Sequence, residues 1–127
     1  MREILFKAKK KDNGEWVEGL LWKKKYDSNK IFISCFPDKD DNEEVFVVEP
    51  DTICQYTGLT DKNGRKIWEN DIVLEVQPCK RTFKITYDVD AFCFDGNGIM
   101  LRVRNARDKV EVIGNVFDNP ELLEKAR

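Results

Sequence analysis

The chain has 127 residues, 41% hydrophobic and 36% charged, with a net charge of −2. That is enough for one domain over 1–127, or two small lobes at 1–50 and 51–127, with a core that needs no metal or disulfide. The chain has no histidine and only two serines, Ser28 and Ser34, neither in a G-x-S-x-G turn, so Ser-His, Cys-His and His-metal chemistry is excluded. No apolar run approaches the ~18 residues of a membrane span, and the N-terminus lacks a signal-peptide core, so a cytoplasmic protein with no membrane partner is expected.

Strand signals dominate in chain order. Ile4–Ala8 and Glu15–Trp22 flank Lys11-Asp12-Asn13-Gly14, whose Asn-Gly pair is hairpin chemistry. Lys30–Phe36 alternates Ile31, Ile33 and Cys35 with Phe32, Ser34 and Phe36, and Glu44–Glu49 is a short apolar strand stopped by Pro50. Both runs are expected to be buried over most of their surface. Asp61-Lys62-Asn63-Gly64 is a second tight turn, and Glu69-Asn70-Asp71 reverses the chain into Ile72–Val76, which Pro78 ends. Arg81–Asp88 alternates Phe83, Ile85 and Tyr87 against Thr82, Lys84 and Thr86; Ala91–Phe94 and Ile99–Arg104 flank a turn at Asp95-Gly96-Asn97-Gly98. After the strand Lys109–Phe117 comes one helix, with Asn119 as N-cap, Pro120 first and Glu121 facing the dipole, ending near Ala126.

Short strands, tight turns and no alternating helices define an all-β chain of small SH3-like barrel or sandwich units with one short C-terminal helix. Trp16-Val17-Glu18-Gly19-Leu20-Leu21 and Ile67-Trp68-Glu69-Asn70-Asp71-Ile72 read alike, each downstream of an Asn-Gly turn, which hints at a duplicated unit.

Cys35, Cys54, Cys79 and Cys93 lie 19, 25 and 14 residues apart with no C-x-x-C pair, so free, mostly buried thiols are expected and no metal site. Charge is uneven. Residues 1–30 carry nine basic and five acidic side chains (+4), residues 31–51 one and seven (−6), and the rest twelve of each. Solvated loops account for such blocks most simply; the sharper reading is head-to-tail pairing between copies, which makes a homo-oligomer the expected state.

Candidate chemistry is thin. Glu69 and Asp71 beside Asp61 form the one carboxylate group suited to acid/base work, but turn carboxylates are commonly structural. A calcium loop around Gly64 fails, because positions one and twelve would be Leu59 and Asn70. Gly96-Asn97-Gly98 lacks the third glycine and helix of a dinucleotide loop. Trp16, Trp22, Tyr26 and Trp68 lie among lysines, as on a single-strand nucleic-acid face, yet a β core uses the same residues and a pI near 5.3 opposes phosphate binding. No catalytic residue and no cofactor is expected.

The run Gln55-Tyr56-Thr57-Gly58-Leu59, with Asp61, Gly64, Ile67 and the Glu69-Asn70-Asp71 turn, resembles the central motif of the YopX family. Asn70 stands where that family usually has glycine. Arg2–Ala8 with Trp16–Gly19, and Val112–Leu123, resemble its opening and closing elements. The resemblance implies a phage or prophage protein of Gram-positive bacteria with no established activity, acting through an unidentified protein partner. Tyr56, Asp61, Glu69 and Asp71 are the candidate binding residues. A nucleic-acid-binding barrel is the alternative, and a carboxylate-dependent enzyme a distant third.

Overall fold

The structure is a computed structural model describing residues 4–24, 27–35, 43–76, 80–88, 91–96, 99–102 and 109–124. Tyr26, Phe36, Asp38–Asn42, Pro78, Cys79, the Asn97-Gly98 turn tip and the expected helix end at Ala126 lie outside them. The chain is mainly β and divides into two compact units, Met1–Tyr56 and Thr57–Arg127.

The first unit is built from consecutive hairpins: β1 (Phe6–Lys9), β2 (Trp16–Lys24), β3 (Asp27–Cys35) and β4 (Glu44–Val48), each antiparallel to the one before. The Asn13-Gly14 turn joins β1 to β2 as expected; Gly14 takes φ +75°, and the Asn13 side chain accepts the Glu15 N–H at 3.0 Å. The fourth strand then returns to the first. Lys10 bridges Val48, Lys11 N–H donates to Val47 O and Glu49 N–H to Lys9 O, both at 2.9 Å, so strand pairing closes on itself. Closure removes two edges that would otherwise be open to other chains. Pro50 does more than stop β4. It opens a 3-10 turn, Pro50–Thr52, whose Thr52 hydroxyl donates to Glu49 O at 2.7 Å and accepts Lys9 N–H at 2.9 Å. That turn delivers β5 (Cys54–Thr60) to β1, pairing Gln55 with Phe6.

Side-chain alternation then sorts the first unit's faces. Ala8, Ile33 and Val48 are buried at its centre, packed by Phe6, Val17, Leu21, Ile31 and Ile53. The expected burial of β4 is corrected here: Val45 is 45% exposed, lying on the other face of the strand from the buried Val48.

In the second unit, β6 (Lys66–Trp68) precedes a sheet of β7 (Asp71–Glu75), β8 (Thr82–Asp88), β9 (Ala91–Gly96), β10 (Ile99–Arg102) and β11 (Val110–Asn115), ordered β10-β9-β8-β7-β11. Its core is Ile67, Val73, Phe83, Ile85, Phe92, Phe94, Val110 and Val112, packed by Leu59. Phe83 and Ile85 are buried as their alternation requires, while Tyr87 reaches solvent and meets Phe92 edge to face, 5.0 Å between centroids. Glu75 and Arg81 clamp the loop end of the β7–β8 hairpin through two bonds of 2.8 and 2.9 Å. The helix α1 (Glu121–Glu124) packs against β8. Asn119 does not cap it with its side chain: that oxygen accepts the Asn115 N–H at 3.2 Å, and only the Asn119 backbone carbonyl receives a helical N–H, from Leu122. Among the cysteines, Cys54 and Cys93 are buried and Cys35 half-buried, all three as free thiols.

Candidate functional site

The two aspartates of the central run are committed to backbone. Asp61, 6% exposed, accepts Asn63 N–H and Arg65 N–H on Oδ1 and Val112 N–H on Oδ2, each at 2.9 Å. Burial alone would push this carboxyl up, but the N–H groups of Val112, Arg65 and Asn63, helped by the Arg65 charge, hold it below the usual carboxylate range. With Lys62 N–H on Val110 O at 3.1 Å, the turn occupies the outer edge of β11 much as another strand would. Asp71 is also buried and accepts Trp68 N–H at 2.8 Å, closing the Glu69-Asn70 reversal. Glu69 is half-buried beside it. Tyr56, buried in the first unit, donates its N–H to Leu5 O at 2.8 Å. These residues hold turns and strand ends: Asp61 uses both oxygens on amides, and Asp71 uses Oδ2.

Other residues meet solvent. In the first unit, two cross-strand rows run over β2, β3 and β4, Leu20, Ser34, Val45 and Trp22, Phe32, Val47, in which Leu20, Trp22 and Val45 are exposed while Ser34 and Phe32 are buried beneath them. Leu20 is 54% exposed and Trp22 36%. Trp22 stacks on Phe32 with centroids 4.5 Å apart and rings inclined by 16°. Its indole N–H donates to Ser34 Oγ at 2.6 Å, and the Ser34 hydroxyl donates onward to Glu43 Oε1 at 2.6 Å. The indole is thus held by a ring on one side and a hydrogen bond at its edge. Such an anchor has little rotamer freedom left to lose when something docks on it.

Alongside β4 lies a groove of about 500 Å³, with Lys10, Lys11, Lys30 and Asp12 around a floor of Val45, Phe46 and Val47. Lys10 Nζ sits 4.2 Å above the Phe46 ring and 3.7 Å from the Glu15 carboxylate. Cys35 is close by in charge terms: burial and then Glu44 push its thiol up, and Lys10 pulls it the other way. A thiol kept protonated is a poor nucleophile. On β1 and β2, Lys7 and Lys9 stand 4.7 and 5.4 Å from the centre of the Trp16 ring.

Leu20 and Val45 were not among the residues singled out in the sequence, and Trp22 was read there mainly as core. A signal was present. Strand β2 carries apolar residues on both alternations, Trp16, Leu20 and Trp22 on one and Val17 and Leu21 on the other, whereas a strand with one solvated face carries polar residues there.

The chain is also similar to known proteins along nearly all its length. No curated protein matches it. A crystal structure of protein EF1440 from Enterococcus faecalis has a TM-score of 0.61 with this chain at 27% sequence identity, covering 97% of this chain and 99% of that one. The YopX protein family matches residues 5–124, from β1 through α1, and so takes in the Gln55–Val73 run and both flanking units. With a match over that span, this chain belongs to the YopX family.

Proposed function

We propose that this YopX-family chain is a binding module without catalytic activity, encoded by a phage or prophage and working in the cytoplasm of a Gram-positive host through protein contacts made by the outer face of β2, β3 and β4. The observation that carries the reading is the exposed apolar set on that face, Leu20, Trp22 and Val45, with Trp22 fixed by Phe32 and Ser34. A rigid aromatic ringed by aliphatic side chains has the character of an interface hot spot. The closure of the first unit's short strands supports reading it as a small SH3-like barrel, a scaffold that carries many unrelated binding functions.

Cross-linking in host cells followed by mass spectrometry tests the reading. Cross-links to a partner should map to residues beside β2–β4 and vanish in a folded Leu20→Glu/Val45→Glu variant. Partner cross-links that survive the variant would sink it, as would substrate turnover by the purified protein. The nucleic-acid alternative draws on the Lys7–Trp16–Lys9 cluster. Anisotropy titration with single-stranded oligonucleotides at about 50 mM salt, where phosphate attraction is strong, decides it: tight binding weakened by Lys7→Ala/Lys9→Ala would replace the protein-contact reading.

A further inference from the structure

We propose that the lysine-lined groove along β4 receives the acidic segment 38–44 of a second copy of this chain, so that the protein associates with itself head to tail. The proposal rests on the binding face described above and names its occupant. Three ammonium groups, Lys10, Lys11 and Lys30, border a groove with a single carboxylate, Asp12, and the floor of Val45, Phe46 and Val47 is apolar. An apolar floor keeps water from the charges above it, so an acidic chain lying there is attracted more strongly than at an open surface.

The matching charge is in the same sequence. Asp38-Lys39-Asp40-Asp41-Asn42-Glu43-Glu44 holds five carboxylates and one lysine, and it supplies most of the −6 of residues 31–51 in a chain whose total is only −2. The preceding thirty residues, which contribute Lys10, Lys11 and Lys30, carry +4. Opposite blocks on one chain steer copies toward each other and set which surface meets which. A groove-to-segment contact repeated from copy to copy builds a ring or an open chain, and made twice between two copies it closes a reciprocal pair.

Sedimentation velocity on the full chain at about 100 µM tests this. In about 10 mM salt, where the screening length is about 30 Å, the mass should be that of two or more chains, and it should fall to the monomer by about 500 mM. Lys11→Glu/Lys30→Glu and Asp40→Lys/Asp41→Lys should each sediment as monomers in low salt, with unchanged circular dichroism. Mixed in equal amounts they should regain the higher mass, since each then meets a complementary charge. A wild-type monomer in low salt overturns the proposal. So does assembly that persists in both reversed variants, or a mixture that stays monomeric. Assembly lost in Leu20→Glu but indifferent to both charge reversals would keep the apolar face and sink the groove's occupant. Charge-dependent assembly that ignores Leu20→Glu would keep the groove and sink the wider face.

Discussion

Trp16–Leu21 and Ile67–Ile72 read alike, and the structure uses them differently. Aligned on their glutamates, Glu18 and Glu69, they place Gly19 opposite Asn70 and Leu20 opposite Asp71. Strand β2 runs straight through Gly19, which pairs with Phe6; the second segment stops at Trp68, reverses through Glu69-Asn70 and restarts at Asp71. The following residue decides it. Asp71 supplies a carboxylate that accepts Trp68 N–H, and Asn70 takes φ +71° with its N–H on Ile85 O. Leu20 has no group to hold such a turn. The two upstream turns differ in the same way: Asn13 bonds only its local amide at Glu15, whereas Asp61 reaches Val112, 51 residues away. A similar pattern therefore does not make a similar local structure. It marks two places where glycine or asparagine solves different problems.

Four substitutions sharpen that contrast. The largest effect is expected at Gly19, where a Cβ would sit 2.1 Å from the Ser34 carbonyl oxygen. Because the obstacle is backbone, Gly19→Ala should cost about 3 kcal/mol or more in chemical denaturation. A loss below about 1 kcal/mol would show that β2 and β3 approach less closely than described.

Asp61→Asn comes next, at about 2 kcal/mol, since an amide offers one acceptor oxygen where the carboxylate uses two against three N–H groups, one of them buried. It also carries a pH signature. A carboxyl held below its unfolded value adds stability that is fully present above that value, about 3.9, and is lost as pH falls through the lower folded one. The wild-type melting temperature should therefore fall on acidification below about pH 4, and the drop should be shallower in Asp61→Asn. Equal slopes for the two proteins would remove Asp61 from the acid response.

Gly64→Val should cost between about 1 and 2 kcal/mol. The site has open space around it, so only the φ of +81° opposes the new side chain. An unchanged melting temperature would mean the turn relaxes freely despite its tie to β11. The smallest change is expected at Asn70→Gly, within about 0.5 kcal/mol of wild type, because glycine adopts the same left-handed backbone at no steric cost. A loss above about 1 kcal/mol would assign the Asn70 side chain work beyond its backbone angle.

Much of the β framework was legible because strands and turns carry local chemistry. Asn13-Gly14, Gly64 and Asn70 all fall where the chain turns, and the alternation of Phe83 and Ile85 identifies the core side of β8. The candidate site was much less so. Asp61 and Asp71 are visible as turn carboxylates that hold nearby amides, but the bond from Val112 N–H to Asp61 needs β11 in place. Asn119 has every mark of a helix cap, yet its side-chain oxygen accepts the Asn115 N–H at the end of β11.

By itself the sequence determined the class of fold, the positions of its turns, the absence of histidine chemistry and the opposed charge blocks, since these depend on residue type and near neighbours. Tertiary structure alone decided which apolar residues stay in contact with water. Leu20 and Leu21 are adjacent and chemically identical, but Leu21 packs on Ile33 and Val48's cluster while Leu20 faces out, and Val45 and Val48 divide in the same way across β4. Closure through Lys10 and Val48, residues 38 positions apart in the chain, sets which face is inside, and a pairing over that distance leaves no trace in local periodicity.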